Sequence, residues 1–176
     1  MHCFWITGLS GAGKTTLGYE LVKRLGPAVM LDGDRVRAGL CSDLGFSPED
    51  RSENNRRIAE TARLITESGI SVVVCAISPY RKDRESARRH FAPGRFIEVF
   101  LDTPLKECER RDAKGYYARA HAGDTKDFTG VSAPYEAPLT PEVWLRGIEP
   151  PDRLARTVMK ALDLMDLPDP RHRRSA

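Results

Sequence analysis

The sequence has few cysteines, no long hydrophobic run and almost no excess of one charge. Its four cysteines (Cys3, Cys41, Cys75 and Cys108) are scattered, with no C-x-x-C pair of the kind that favours a zinc or redox site. The longest apolar stretch, Ile70 to Ile77, is far shorter than the ~20 residues that span a bilayer. The first residues lack the basic and apolar regions of a signal peptide. We therefore expect a cytoplasmic protein with reduced thiols and no membrane association.

Charge and composition are those of an ordinary globular protein. The 176 residues include 28 Lys plus Arg against 25 Asp plus Glu, so the formal net charge is +3. Hydrophobic residues make up 40% and charged residues 30%, which suits a buried core in one domain over residues 1–176. Arginine outnumbers lysine 21 to 7, a bias that reflects either genome composition or many planar contacts with anions. The weak positive charge gives no sign of a nucleic-acid partner.

Short apolar runs alternate with helical patterns, which is typical of a parallel sheet flanked by helices. The predicted strands are Cys3 to Thr7, Ala28 to Leu31, Ser71 to Ile77 and Phe96 to Leu101, and the β-branched run from Ser71 is expected to be central. The predicted helices run through Leu17 to Leu25, from the Ser47 cap and Pro48, from Pro104 toward Arg111, and from Asp152 to Met165. Residues 112–141 lack a clear period, which favours a mobile lid. Residues 168–176 are expected to form a solvated basic tail.

The run Gly8-Leu9-Ser10-Gly11-Ala12-Gly13-Lys14-Thr15 fits the pattern G-x-x-x-x-G-K-[ST] between a predicted strand and a predicted helix. Glycines allow the backbone N–H groups of such a loop to surround phosphate oxygens, and the helix N-terminus adds a positive dipole. We expect Lys14 to bridge the β- and γ-phosphates and the Thr15 hydroxyl to take one Mg²⁺ position. The sequence therefore predicts a nucleoside triphosphate site in a three-layer α/β fold of the P-loop NTPase type, with a mostly parallel sheet.

Polar residues follow the second predicted strand, at the edge of the sheet where an acceptor would bind. Asp32 and Asp34 come directly after this strand, and Arg37 lies one helical turn further on. A carboxylate here can accept a hydroxyl proton or help to hold Mg²⁺, and Arg37 can pair with an anion. The alternative is a helix N-cap followed by a surface charge pair.

Two side chains on the helix after Ser47 are candidates for contacting one ligand. Arg51 and Asn54 lie three residues apart on this predicted helix and therefore share a face. Phe46, in the loop just before it, is placed to stack on a base. The alternative is a charged helix whose polar face is simply solvated.

Two later segments add candidates near the same crevice. Ser78, at the end of the third strand, is a phosphate contact, a phosphoacceptor or the N-cap of the next helix. In the lid, Lys114, Arg119 and Lys126 are candidates for closing over phosphates, and Phe128 for covering an adenine. Together these segments predict a cleft that binds a polyanionic ligand.

In order and spacing, these motifs resemble the adenylylsulfate kinase (APS kinase) family within the P-loop kinases. The resemblance runs from about Phe4 to Pro138 and continues weakly through the final helix. It is carried by Gly8-Leu9-Ser10-Gly11-Ala12-Gly13-Lys14-Thr15-Thr16, Leu31-Asp32-Gly33-Asp34-Arg35-Val36-Arg37, Gly39-Leu40-Cys41-Ser42-Asp43-Leu44-Gly45-Phe46, Ile77-Ser78-Pro79-Tyr80-Arg81, Asp112-Ala113-Lys114-Gly115 and Phe128-Thr129-Gly130.

The resemblance implies transfer of phosphate from ATP to the 3′-hydroxyl of adenosine 5′-phosphosulfate (APS), giving ADP and 3′-phosphoadenosine 5′-phosphosulfate (PAPS) in the second step of sulfate activation. It implies that ATP binds Gly8 to Thr16 and Arg119, with Mg²⁺ on Thr15. It implies that APS binds Asp32, Asp34, Arg37, Phe46, Arg51, Asn54, Ile77, Ser78, Lys114 and Phe128, with the two phenylalanines on opposite faces of the adenine. The catalytic candidates are then Lys14, Asp34, which would orient or deprotonate the 3′-hydroxyl, and Ser78, which is the family's phosphoserine position.

The family also implies a homodimer and a functional link to ATP sulfurylase. The lid departs from the family pattern Lys-Gly-Leu-Tyr-Lys-Lys-Ala-Arg-Ala-Gly, because Ala118 replaces a lysine and His121 an arginine. Arg119 is then the clearest lid cation. We expect weaker lid closure or ATP affinity, sensitive to pH where His121 contributes.

Two other functions stay open at this point. One is a small-molecule kinase of the same superfamily that acts on a nucleoside, a sugar or an antibiotic, which leaves the aromatic and arginine set unexplained. The other is a catalytically silent nucleotide-binding module that regulates or docks onto a sulfurylase. The intact Lys14, Thr15 and Asp34 argue against the silent module.

Overall fold

The computed structural model describes residues 1–112, 114–125 and 127–165, and these form a five-stranded sheet with helices on both faces. In chain order the elements are β1 (Cys3–Thr7), α1 (Lys14–Val22), β2 (Ala28–Asp32), α2 (Gly33–Ala38), α3 (Pro48–Glu67), β3 (Ser71–Cys75), α4 (Arg81–Arg88), β4 (Phe96–Asp102), α5 (Leu105–Arg111), α6 (Tyr116–His121), β5 (Val143–Arg146) and α7 (Pro151–Met165). The predicted tail, residues 168–176, and Lys126 lie outside the described residues.

Neighbouring strands of the sheet all run parallel, in the order β2-β3-β1-β4-β5. β1 lies at the centre, where Cys3 is opposite Val72 of β3 and Phe96 of β4. This arrangement confirms the parallel α/β fold predicted from the alternating pattern. Because the chain moves from β1 to one side of the sheet and returns later to the other, a crevice opens at the carboxyl end of β1. The glycine-rich loop follows β1 at that crevice.

Two hydrophobic clusters fill the two faces of the sheet, because alternate residues of a strand point to opposite sides. Phe4 and Ile6 of β1 belong to the cluster that includes side chains of α1 and α7. Trp5 belongs to the opposite cluster, with side chains of α3 and α4. Burial of each such side chain contributes about 1.5–3 kcal/mol. The three layers hold the start of α1, and with it the glycine-rich loop, in a fixed position.

The start of α3 agrees with the local sequence prediction. The Ser47 hydroxyl accepts the Asp50 backbone N–H at 3.1 Å, and Pro48 occupies the first turn. The predicted third strand is shorter than expected, since β3 ends at Cys75 and Ile77 lies in the turn that follows. β3 is an interior strand between β2 and β1, as expected.

The sequence patterns did not reveal two short elements, α6 and β5. α6 has six residues, too few for a helical period to be recognised. β5 has four residues and forms an edge of the sheet, where pairing with β4 rather than its own pattern makes it a strand. The segment predicted as an irregular lid therefore contains a helix, and a strand follows it.

All four cysteine side chains are buried as free thiols. Within the described ranges, no helix has the combination of length and apolar character needed to cross a membrane.

Candidate active site

A cavity of about 910 Å³ lies at the carboxyl edge of the sheet, between the glycine-rich loop and the segment predicted as a lid. Most of the residues predicted for the site line it: Ser10, Gly11, Ala12, Gly13, Lys14, Thr15, Thr16, Asp32, Asp34, Arg37, Phe46, Arg51, Asn54, Ile77, Ser78, Lys114, Arg119 and Phe128. Gly8 and Leu9 are outside this lining. Segments far apart in the sequence thus converge on a single cleft.

The glycine-rich loop requires its glycines because the backbone is folded tightly against β4. Gly8 has a φ of 154°, and a Cβ there would lie 2.6 Å from the Leu101 carbonyl oxygen. Gly13, with a φ of 101°, precedes the first residue of α1. The loop therefore leads directly into the N-terminus of a nine-residue helix, where free N–H groups and the helix dipole favour an anion.

The Lys14 ammonium lies over this loop and is held by backbone carbonyls. Nζ donates to the carbonyl oxygens of Gly8 at 3.0 Å and Leu9 at 2.6 Å. Desolvation by burial lowers the pKa of Lys14 to about 8, so the side chain is still mainly cationic at neutral pH. The contribution of Gly8 and Leu9 to the site is therefore to hold the Lys14 ammonium in position with their carbonyl oxygens.

Asp32 connects the second strand to the glycine-rich loop. Its Oδ1 accepts the backbone N–H groups of Asp34 at 3.1 Å and Arg35 at 3.3 Å, and so caps α2. Its Oδ2 accepts the Thr15 hydroxyl at 2.7 Å. The N-cap alternative is therefore correct for Asp32, but the same carboxylate also faces the cavity. A hydroxyl and a carboxylate oxygen side by side are the kind of hard ligands that Mg²⁺ prefers.

Asp34 and Lys114 form an ion pair across the mouth of the cavity. Both side chains are more than half exposed, and the hydrogen bond to Asp34 raises the pKa of the Lys114 ammonium. The pair joins the first turn of α2 to the lid. A ligand that enters between them meets a carboxylate and an ammonium that can each turn toward it.

Phe46 lies under two arginines at the acceptor side of the cavity. The guanidinium of Arg37 is 4.5 Å and that of Arg51 is 5.6 Å from the centre of the Phe46 ring. Arg51 also donates to the Phe46 carbonyl at 2.9 Å and to the Asp127 carbonyl at 2.7 Å. Because Arg51 is only 8% exposed, the alternative of a simply solvated helix face is wrong at this position.

Two buried oxygens in the cavity wall have no hydrogen-bond partner among the described residues, namely Asn54 Oδ1 and Thr129 Oγ1. An unpartnered buried polar atom is costly, typically by ~1–3 kcal/mol, unless a ligand or water satisfies it. Asn54 was predicted from the sequence. The sequence patterns did not identify Thr129 as a contact, because a single threonine in an irregular segment carries no periodic signal.

Ser78 is buried in the turn after β3 and has a left-handed backbone, with a φ of 46°. Its hydroxyl accepts the indole N–H of Trp5 at 3.0 Å and donates to Asn55 Oδ1 at 3.0 Å. The N-cap alternative for Ser78 is wrong, because the N-cap of α4 is Tyr80. Both hydrogen bonds orient the hydroxyl within the wall of the cavity.

Helix α6, in the segment predicted as a lid, is attached to the glycine-rich loop by Tyr117, whose hydroxyl donates to the Ser10 carbonyl at 3.0 Å. Phe128 packs edge-on against the Tyr117 ring, with the ring centres 5.0 Å apart. The Arg119 guanidinium lies 5.1 Å from the centre of the Tyr116 ring and lines the cavity. These contacts place two lid residues, Phe128 and Arg119, at the cleft.

The structure does not support the expected contribution of His121 to the cleft. His121 Nε2 lies 2.9 Å from a Glu109 carboxylate oxygen, and the side chain is exposed and does not line the cavity. The helical geometry of α6 explains this, because His121 is two residues from Arg119 and so points to another face. The pH sensitivity expected from His121 therefore loses its basis.

Arg111 is a cavity residue that the sequence patterns did not single out. At the end of α5 it donates to the carbonyl oxygens of Ala12 at 3.2 Å and Gly147 at 2.9 Å, and it pairs with Glu107 at 2.8 Å. Its guanidinium thus lies between Ala12 of the glycine-rich loop and Gly147, which comes shortly before α7. A lone arginine at the end of a charged helix gives no sequence signal for this role.

The family model described as adenylylsulphate kinase matches residues 1–146. The chain is 52% identical over 163 residues to an adenylyl-sulfate kinase from a Picosynechococcus strain, covering 90% of this chain and 91% of that protein. It is 50% identical over 164 residues to the bifunctional enzyme NodQ from a Rhizobium strain, covering 91% of this chain but only 25% of NodQ. The structure of the Mycobacterium tuberculosis APS kinase in complex with AMPPNP and APS is similar, with a TM-score of 0.87, 42% identity, and coverage of 92% of this chain and 97% of that one.

Proposed function

The chain belongs to the adenylylsulphate kinase family, and we propose that it transfers the γ-phosphate of ATP to the 3′-hydroxyl of APS, giving ADP and PAPS in sulfate activation. The observation that carries this proposal is a single cleft with a glycine-rich phosphate loop on one side and a carboxylate, arginines and Phe46 on the other. Such a cleft brings a polyphosphate donor and an anionic nucleotide acceptor together.

On the donor side, the N–H groups of the loop residues that line the cavity, Ser10 to Thr16, hold the phosphates, and Lys14 neutralises the charge that develops on the transferring group. Arg119 of the lid and Arg111 beside the loop add positive charge to the same end of the cavity. Mg²⁺ fits beside them, with Thr15 and Asp32 as the groups that would hold it, and it would supply further charge compensation on the phosphates.

On the acceptor side, the oxygen of the 3′-hydroxyl forms the new bond to the γ-phosphorus, and Asp34 accepts the proton that this hydroxyl loses. The bond from that phosphorus to the β–γ bridging oxygen breaks, and ADP leaves with the electron pair. Lys114, which is the ion-pair partner of Asp34, turns to the anionic groups of the reactants. This direct transfer from ATP to the acceptor hydroxyl needs no covalent enzyme intermediate.

Recognition of APS rests on the remaining wall of the cleft. Arg37 and Arg51 pair with the phosphosulfate, and Phe46 and Phe128 stack on the adenine. The unpartnered Asn54 Oδ1 supports a polar contact with the nucleotide, because binding would satisfy an atom that is otherwise left without a partner. Ile77 and Ser78 complete this wall.

The function is tested with purified protein, ATP, Mg²⁺ and APS, by following ADP and PAPS together. We expect ADP formation that depends on APS and matches PAPS in amount. ADP formation only with another hydroxyl acceptor would favour the small-molecule kinase instead. Nucleotide binding without turnover of any acceptor would favour the silent module.

Replacing Ser78 by Ala is expected to leave kcat within about threefold of the unchanged protein, since the Ser78 hydroxyl is already engaged by Trp5 and Asn55. Such a result would mean that Ser78 helps to hold the wall of the cleft in place through Trp5 and Asn55, and does not accept phosphate. The measurement is turnover at saturating ATP and APS, together with mass spectrometry of the protein after incubation with ATP. A fall in kcat of about 100-fold or more, with phosphate on Ser78 of the unchanged protein, would instead show an obligatory phosphoenzyme.

The affinity for ATP is expected to weaken above pH 8, because Lys14 has a pKa of about 8 before ATP binds. Below pH 8 the ammonium is charged before and after binding, so the Kd is constant. Above it, binding must take up a proton, and the Kd rises about tenfold between pH 7 and pH 9. Calorimetry with MgATP at the two pH values measures this. The Lys14→Arg variant should give a flat profile, and an equally flat profile in the unchanged protein would exclude Lys14 as the titrating group.

We further propose that residues 112–141 close as a lid over both substrates, and that the protein works in the cytoplasm as a homodimer beside ATP sulfurylase. The contacts of α6 with the phosphate loop support the lid. The bifunctional name of NodQ supports a functional partner for this kind of domain. Light scattering of the purified protein tests the dimer, since a monomeric mass at working concentration would exclude it.

A further inference from the structure

Arg84 of α4 is buried, with 2% of the residue exposed, and does not line the cavity. Each of the three nitrogens of its guanidinium donates a hydrogen bond to a different acceptor. Nε donates to Glu98 Oε1 of β4 at 2.7 Å, Nη1 to the Ser78 carbonyl at 2.6 Å, and Nη2 to the Glu136 carbonyl at 2.7 Å. One planar group therefore joins the sheet, the turn after β3 and the segment around Glu136.

The turn after β3 depends on such support. Ser78 has a φ of 46°, and left-handed backbone in a non-glycine residue is uncommon and strained. Arg84 holds the Ser78 carbonyl, and the Thr7 hydroxyl holds the Ile77 carbonyl at 2.7 Å. Since Ile77 and Ser78 both line the acceptor side of the cleft, the shape of that wall depends on these bonds.

The strap, residues 135–137, is docked on the same turn. The Glu136 backbone N–H donates to the Pro79 carbonyl at 2.8 Å, and the Glu136 carboxylate accepts the Arg81 backbone N–H at 2.8 Å. Arg81 Nε donates to the Ala137 carbonyl at 2.7 Å. The strap lies a few residues after Phe128, and its bonds to Pro79 and Arg81 fix one end of the segment that carries this predicted adenine contact.

We propose that Arg84 is a positioning residue for the APS subsite: it sets the turn after β3 and the strap in register without touching substrate. This inference rests on the proposed function. The guanidinium fork is suited to three acceptors at fixed angles, whereas the compact lysine ammonium cannot span them. Arg84 makes no hydrogen bond to the phosphate loop or to Lys14, whose ammonium is held by the Gly8 and Leu9 carbonyls, so we expect its loss to act on the APS side of the cleft.

The test is an Arg84→Lys variant, which keeps the buried charge. We expect the KM for APS to rise about tenfold, equivalent to about 1.4 kcal/mol, while the KM for ATP stays within about twofold. The matched control is Arg88→Lys on the same helix. Arg88 also pairs with Glu98, at 3.3 Å, and with Glu142, but it reaches neither Ser78 nor the strap. We expect this control to lower the Tm and leave both KM values unchanged.

Equal increases in the two KM values, an unchanged KM for APS, or the same split in the Arg88 variant would each overturn the proposal. If Arg84→Lys does not fold, Glu98→Gln provides the same test. Gln keeps an oxygen that can accept the Arg84 Nε hydrogen bond but removes the negative charge that strengthens it. Absence of APS-dependent ADP formation by the unchanged protein would overturn the proposed function instead. Normal turnover without the split would overturn only the role of Arg84.

Discussion

Replacing Lys14 by Met is expected to lower kcat by about 10²–10³-fold, with the fold retained. Met preserves most of the length of the side chain but brings no charge to the transferring phosphate. Lys14 is held over the phosphate loop by the Gly8 and Leu9 carbonyls, so its charge is already in place before the reaction. Loss of one preorganised charged contact in a transition state costs ~3–4 kcal/mol. The measurement is ADP release at saturating ATP and APS.

Lys23→Met is the matched control for this variant. Lys23 follows the last residue of α1, is exposed and pairs with Glu20 at 2.8 Å, so we expect its loss to leave kcat unchanged. Circular dichroism of both variants checks the fold. If Lys14→Met kept more than a tenth of the activity, the phosphates would have to be stabilised mainly by the loop N–H groups and the lid arginine.

Replacing Asp34 by Asn is expected to lower kcat by about 10²–10⁴-fold while the KM for ATP changes little. The amide keeps the shape of the side chain but cannot take the proton of the 3′-hydroxyl. It also weakens the pair with Lys114, so some increase in the KM for APS is expected as well. Steady-state kinetics with each substrate varied in turn separates these effects.

Asp43→Asn provides the comparison for Asp34. Asp43 is an exposed carboxylate outside the cavity that pairs with Arg57 at 2.6 Å, so this variant also loses the charge of an ion-paired aspartate. We expect normal kinetics for it. An Asp34→Asn variant with the same near-normal kcat would show that proton transfer to this carboxylate does not contribute to the rate.

Helix α3 shows a limit of sequence patterns, which do not distinguish charged residues that face solvent from those that face the cleft. A run such as Arg51 to Arg57 has the composition of a solvated face, and Arg56 indeed pairs with Glu53 on the surface. Arg51 and Asn54 on the same helix are buried against the cleft. The surface residues and the buried residues of this helix are of similar polar types. Only the packing of α3 against the sheet decides which of them are buried at the cleft.

The local sequence determined the strands β1 to β4, the capped start of α3 and the phosphate loop. These features depend on residues within a few positions of one another: short continuous apolar runs, a Ser-Pro helix start, and glycines where the backbone must take positive φ. Their physical causes act over a short stretch of chain, so the pattern itself predicts the structure.

Only the tertiary structure decided which distant partners the charged side chains contact, whether an opposite charge or a backbone carbonyl. Asp34 and Lys114 are 80 residues apart in the sequence, Arg51 and Asp127 are 76 apart, and Arg84 and Glu136 are 52 apart. Such contacts arise from the strand order and from the way the chain after α5 returns to the edge of the sheet, which no local period encodes. For the same reason, the ion pair at the mouth of the cleft, the Arg111 contact with the phosphate loop and the buried Arg84 became visible only once the chain was folded.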